Sequence, residues 1–185
     1  TDDYYGFLDD AEGGTINDGG APDLLDLGIG RIPVRTPAEA AGVVAKIETY
    51  MSPASYGSWR NEICFVADDE DNNLHLNDAD EMAEELRVDQ PDYNIAKIYL
   101  DAFDQVDASA GDRYPDVVDA ITRTIRTGSF LINYTGHGGP ENWAQERVFN
   151  RDDFFDLENL DRLPIFITAT CDFSWFDDPG FQSAG

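Results

Sequence analysis

Apolar positions along this chain change their spacing several times, and the changes mark out its elements. The short runs at 63–67, 95–100, 130–132 and 165–167 are rich in Ile, Val and Phe. They predict buried strands of a parallel sheet. Between them Ala79, Met82, Ala83 and Leu86 recur at helical spacing, as do Val117, Val118, Ile121 and Ile125. The second helix opens at Pro115 and closes at Gly128. Strands and helices that alternate with short links predict an α/β fold with helices on both faces of a parallel sheet.

Upstream the pattern is looser. Thr36-Pro37-Ala38-Glu39 is a capping box with proline at the first helical position. Ala40, Val43, Val44, Ile47 and Met51 follow at helical spacing, so one face of this helix is expected to pack on a core. Ser52-Pro53 ends it. Ahead of it, 4–8 and 24–32 read as strands, and Gly13-Gly14 and Asn17-Asp18-Gly19-Gly20 as flexible turns. Arg31 is expected in a structural ion pair. A linker at 55–59 divides the chain into an N-terminal α/β part, 1–58, and a larger part, 59–185.

Composition narrows the classes. Hydrophobic residues make up 42% of the 185, which excludes a disordered chain. No apolar run approaches the length of a membrane span, so no direct insertion in a membrane is expected. The chain begins at Thr1 without Met and stops soon after Cys171, so the fold is expected to be truncated at both ends. Thirty-eight acidic residues against twelve basic ones give a formal charge of −26. Such a surface repels nucleic acid and anionic lipid. The basic residues are ten Arg and two Lys. That balance fits a halophilic protein kept soluble in high salt, and equally one that binds divalent cations.

Candidate chemistry gathers in the stretch 129–172. One strand runs into Thr135-Gly136-His137-Gly138-Gly139, the other into Thr168-Ala169-Thr170-Cys171. Open α/β sheets place their sites past the carboxyl ends of strands. A cysteine at a strand end is ordinarily a small core residue, and a GHG turn is ordinarily only a turn. At the ends of two adjacent strands, however, His137 and Cys171 would face each other as a thiol–imidazole dyad. The backbone N–H groups of Gly138 and Cys171 would then form an oxyanion hole. Cys64, in the middle of its strand, reads as core.

Acidic residues crowd the loop 68–73. In an acidic protein this is first of all a solvated turn. One carboxylate could instead orient His137. Asp69, Asp71 and Asn73 also alternate like the first ligands of a calcium loop, although Leu74 stands where such a loop needs glycine. His75 reads as a helix-start residue without a metal-binding partner. The long link from 138 to 163 carries a helix signal only near 151–155. Within it Trp143 and Glu146 are candidates for lining a substrate cleft. Trp143 could as well anchor the loop on the sheet.

NYTGHGGPENWAQERV followed by LPIFITATCDFS resembles the gingipain family of cysteine peptidases, in particular its sortase-like branch in type IX secretion. The family carries its base in a GHG turn and its nucleophile after a second strand, a little over thirty residues on. Here His137 and Cys171 are 34 apart. The segment Gly30-Arg31-Ile32-Pro33-Val34-Arg35-Thr36 is similar to the family's lead into the preceding helix. The resemblance implies a caspase-like sheet of order 2-1-3-4, counted from the strand at 63. It also implies a Cys-His endopeptidase mechanism and a supporting acid five residues after Cys64, which is Asp69, with Asp68 second because neighbouring strand residues point to opposite faces. Protein or peptide substrates and secretion-machinery partners are implied too, with a secreted or cell-surface location. No cofactor is expected to be required, and any structural calcium is expected from the acidic loop rather than from the resemblance. The alternative is a non-catalytic or calcium-binding surface module that keeps a peptidase-like fold.

Overall fold

The structure, a computed structural model, describes residues 2–9, 12, 24–109, 111–176, 178, 180, 183 and 184. The chain divides into two compact units, Thr1–Val43 and Val44–Gly185. That division falls within the first helix, α1 (Pro37–Met51), whereas the sequence reading puts it beyond the helix, at 58.

In the first unit Asp2–Gly6 is a 3-10 turn rather than the expected strand. No strand is formed at 24–32 either. Without a partner strand an extended segment leaves its backbone groups unpaired, and a local turn satisfies them within the segment itself. Two side-chain contacts tie the segment together. Arg31 Nε donates to Asp2 Oδ2 at 2.8 Å, the expected ion pair, and Asp26 Oδ2 accepts the Leu8 N–H at 2.8 Å. The glycine turns expected at 13–14 and 17–20 lie outside the described residues.

Helix α1 starts where the capping box puts it. Thr36 Oγ1 accepts the Glu39 N–H at 3.2 Å, and Glu39 Oε2 accepts the Arg35 N–H at 2.6 Å. The expectation about its apolar face is corrected, because no residue of α1 is buried and Val44, Ile47 and Met51 are 53%, 51% and 64% exposed. Helical spacing determines which side chains share a face. It does not determine whether another element lies against that face.

The second unit is built on a parallel sheet. Its strands are β1 (Glu62–Ala67), β2 (Asn94–Tyr99), β3 (Leu131–Thr135) and, after three two-residue strands, β7 (Ile165–Ala169). The short strands are β4 (Gly138–Gly139), β5 (Asn142–Trp143) and β6 (Phe149–Asn150), which form a separate antiparallel sheet. The main order is β2-β1-β3-β7, the 2-1-3-4 arrangement expected. Helices α2 (Leu74–Asp89) and α3 (Pro115–Thr127) connect its first three strands.

Alternate residues of each strand feed two cores. On one side Cys64, Val66, Ile98, Ile132 and Tyr134 pack with Val117, Ile121 and Ile125 of α3. On the other, Ile63 and Phe65 meet Ala83 of α2, with Leu86, Ile95 and Leu131 around them. Each fully buried aliphatic side chain contributes about 1.5–3 kcal/mol. The outer strand β7 departs from the doubly buried pattern, since Ile165 and Ile167 are 46% and 47% exposed. Among the described residues it pairs with β3 alone, at the edge of the sheet.

Candidate active site

Pairing of β3 with β7 determines where the two candidate residues His137 and Cys171 fall. Thr135 lies opposite Ala169 in the parallel register, and Gly136 N–H donates to the Ala169 carbonyl at 3.2 Å. His137 and Cys171 each lie two positions beyond that last pair, at the same end of neighbouring strands. The two turns also touch. A Cβ on Gly138 would come within 2.4 Å of Thr170 Oγ1, so only glycine lets the His turn close onto the Cys turn. Gly136 is constrained likewise, because its Cβ would meet the Asp68 Cβ at 2.4 Å.

Cys171 is exposed and free. The next residue, Asp172, is in the left-handed region at φ 56°, a conformation that Asp tolerates better than most residues, and it turns the chain away from the strand. An open hollow of about 340 Å³ begins here, lined by Thr168, Thr170, Asp172 and Phe173 among others. The acidic segment at 177–179 falls largely outside the described residues. Cys64 differs in every respect. It is free but buried in the core, and burial pushes its thiol up to about 12.

The loop after β1 and Tyr134 of β3 together support the His turn. Asp68 Oδ2 accepts the backbone N–H of His137 at 2.9 Å. Tyr134 OH donates to the His137 carbonyl and accepts the Ala144 N–H, which ties strand, turn and crossover together. At the ring itself, His137 Nε2 is 2.9 Å from Asp71 Oδ2 and 3.8 Å from a Glu70 oxygen. Asp71 and His137 keep half-exposed side chains, so this pair orients the imidazole more than it stabilises the fold.

The carboxylate in contact with the imidazole is therefore Asp71 and not Asp69. The Asp69 carboxylate turns inward and accepts the Tyr114 hydroxyl at 2.7 Å, while Asp71 meets the imidazole. Backbone conformation explains the exchange. Asp71, Asn72 and Asn73 are all left-handed, with φ of 57°, 55° and 65°, so the loop folds back over His137. Asp and Asn are the non-glycine residues that adopt this conformation most readily. Among the described residues Asp71 groups with His75 and His137, and Asp69 with Asp68 and Glu146.

Other residues come into the site or leave it. His75 is not isolated, for its ring stands 5.1 Å from that of His137, edge to face, and its Nε2 is 3.3 Å from Asp71. Nothing in the sequence pattern pairs the two histidines, which are 62 residues apart. Trp143 and Glu146 do not line a cleft. Trp143 is fully buried, stacked on Tyr134 at 4.5 Å and surrounded by Phe149, Phe166 and Phe173. Glu146 is 7% exposed, with Oε1 accepting from Gln105 at 3.3 Å. The crossover that carries both is therefore an anchored lobe of the core. Its helix signal becomes a 3-10 turn, Arg151–Asp156, capped by Asn150 and Asp153.

The sequence profile of Peptidase family C25 matches residues 1–185. The chain belongs to that family. Two solved structures share the fold. The chain is similar to the crystal structure of the Arg-specific cysteine proteinase gingipain R (RgpB), with TM-score 0.62 and 18% identity over 82% of this chain and 33% of that one. It is also similar to the complex of Porphyromonas gingivalis RgpB pro- and mature domains, with TM-score 0.60 and 17% identity over 79% and 33%. The chain spans about a third of the length of those gingipain chains. No curated protein matches it. Membership of C25, with the parallel sheet between helices, makes this a cysteine peptidase-like, caspase-like fold.

Proposed function

We propose that the chain carries the catalytic centre of a cysteine-type endopeptidase, with Cys171 as nucleophile and His137 as acid–base. One observation carries the reading: in a C25 family member, both residues lie two positions past the same register pair of adjacent strands. Asp71 takes the Nε2–H of His137, which puts the basic lone pair of the neutral ring on Nδ1. Nδ1 removes the thiol proton, and the sulfur attacks the peptide carbonyl. The Gly138 and Cys171 N–H groups receive the oxyanion. The imidazolium then protonates the leaving amine, and the acyl-enzyme is released by water or by an acceptor amine. The hollow beside Thr170 and Phe173 takes the peptide on the acyl side. Asp71 is a positioning residue in this scheme, and it stabilises the imidazolium that forms during attack.

The resemblance to gingipains and to the type IX sortase extends the proposal to a secreted or surface-attached protein that works with secretion machinery. In that setting an acceptor amine replaces water. Covalent labelling tests the central claim. A peptidyl chloromethyl ketone should modify Cys171 in the full protein at neutral pH and spare Cys64, and Cys171→Ala or His137→Ala should abolish the reaction. Equal labelling of both cysteines, or undiminished labelling in His137→Ala, overturns it. Adding an amine acceptor during turnover distinguishes the two fates of the acyl-enzyme by product mass.

A further inference from the structure

A second imidazole stands against the carboxylate that meets His137. Nε2 of His137 and Nε2 of His75 approach the same oxygen, Asp71 Oδ2, at 2.9 and 3.3 Å. Each of the three residues offers a donor atom within 4.8 Å of the other two. The two rings stand edge to face, with centroids 5.1 Å apart and planes at 90°. His75 lies in the first turn of α2, four residues after Asp71, and its side chain is largely buried. Its Nε2 is buried and makes no hydrogen bond, so at 3.3 Å from Asp71 it is aimed off that oxygen. Hydrogen bonding accounts for the meeting of His137 with Asp71 and leaves that of His75 unexplained.

A buried ring nitrogen without a partner loses its hydration for nothing in return. A hydrogen bond needs nitrogen and oxygen to face each other, whereas ligands of one metal face the ion between them. Two imidazoles and one carboxylate suit zinc, while calcium and magnesium prefer oxygen alone. Zinc binds nitrogen and oxygen at about 2.0–2.2 Å, so a tetrahedron around it has edges of about 3.3–3.6 Å. The His75–Asp71 separation already has that length. The His137–Asp71 separation needs to open by about half an ångström. Asp71 and His137 have the freedom for this, since their side chains are about half exposed. That exposure also gives an ion its way in and leaves room for water as a fourth ligand. Glu70, 3.8 Å from His137 Nε2, adds a second negative charge beside the site.

We propose that Asp71, His75 and His137 form a zinc site whose occupation stops the peptidase, a step that rests on the reading of His137 as its base. Zinc takes the Nε2 lone pair of His137, and the proton that Asp71 otherwise accepts from Nε2 leaves to solvent. The ring stays neutral by taking a proton from solvent on Nδ1. Nδ1 then has no lone pair to receive the Cys171 proton, so the thiol is not activated. Asp71 changes its partner from the imidazole N–H to the metal. His75 takes no part in peptide chemistry. It supplies the third protein ligand, which two residues of the dyad's surroundings alone do not provide.

Binding is read first without catalysis. The full protein as Cys171→Ala is stripped with EDTA, dialysed and titrated with zinc by calorimetry in high salt, which screens the diffuse attraction of the acidic surface. One saturable site is expected, weakening below about pH 6.5 as the imidazoles take up protons. His75→Gln and Asp71→Asn in that background should each weaken zinc at least as much as the loss of an outer-shell partner does, roughly 10- to 100-fold. Far-UV dichroism checks that both variants fold, and Asn keeps the left-handed conformation at 71. With Cys171 present, zinc should block labelling by a peptidyl chloromethyl ketone and EDTA should restore it, while equal calcium or magnesium should not block it. In His75→Gln the zinc needed for half-inhibition, measured against that variant's own zinc-free rate, should rise by the same factor. Loss of zinc binding in Cys171→Ala overturns the proposal, because the ion would then sit between the thiolate and His137. Undiminished binding in His75→Gln overturns it too. Absence of labelling in zinc-free protein counts against the peptidase reading alone, since the calorimetry needs no thiol.

Discussion

Asp71 is held to His137 by a loop of three consecutive left-handed residues, and that conformation makes it a clean target. Asn is at ease at φ near 57°, so Asp71→Asn should leave the thermal midpoint unchanged. It should lower kcat on a peptide substrate by about 10²-fold or more, as loss of an imidazole-orienting carboxylate does in serine peptidases. Steady-state kinetics at saturating substrate check this, and normal turnover would reduce the site to a dyad. Cys64 provides a pH test. Its thiol titrates near 9.0 when free and is pushed up to about 12 by burial in the fold. Between those values the folded chain keeps a proton that the unfolded chain has released, so stability falls as pH rises through the window. A rise of that size corresponds to about 4 kcal/mol at most. Urea midpoints measured at pH 8, 10 and 11 should fall less steeply in Cys64→Ala than in the parent. Parallel slopes would show that the thiol is not shielded.

Among the elements, the crossover between β3 and β7 combines structure and site most closely. Its small sheet β4-β5-β6 is anchored by Trp143, which fills the space between Tyr134, Phe149, Phe166 and Phe173. The same lobe returns to the His turn through the Ala144 N–H, which donates to the His137 carbonyl at 2.8 Å. Trp143→Ala should therefore destabilise the chain by about 3–5 kcal/mol, the range for removing a large buried aromatic side chain. Urea unfolding followed by far-UV dichroism measures the loss, and Trp143→Phe should recover a large part of it. A change below about 1 kcal/mol would be the response of a surface residue and would contradict the packing.

Charge dominates at the scale of the whole molecule. A formal −26 over 185 residues makes the compact state repel itself. Local pairing relieves little of it. Lys97 is shared between Asp80 and Glu84 at 2.5 and 2.7 Å, and Arg87 also serves Glu84. Salt should do what the scarce cations do not, since the screening length falls to about 3 Å at 1 M. The thermal midpoint is expected to climb steadily from low to molar KCl. A flat profile would remove adaptation to salt as the reason for the acidity.

The sequence by itself determined whatever depends on neighbours along the chain. Strand and helix spacing located β1, β2, β3, β7, α2 and α3, and Thr36 with Glu39 marked the start of α1. Two strand ends flanked by glycine or threonine marked out His137 and Cys171, and the family resemblance supplied the sheet order. Tertiary structure decided what depends on residues far apart in sequence. The exposed face of α1 and the exposed outer residues of β7 show the limit of periodicity, which names a face but not its partner. Trp143 and Glu146 sit in a polar, irregular stretch whose composition suits a cleft. They turn inward because Tyr134 and the phenylalanines give the indole a stacking surface. In the acidic loop six similar residues are indistinguishable by type, and three left-handed φ angles send Asp71 to the imidazole and Asp69 to Tyr114. Backbone direction over three residues, with burial of Asp69 beside Tyr114, decided which carboxylate meets which side chain.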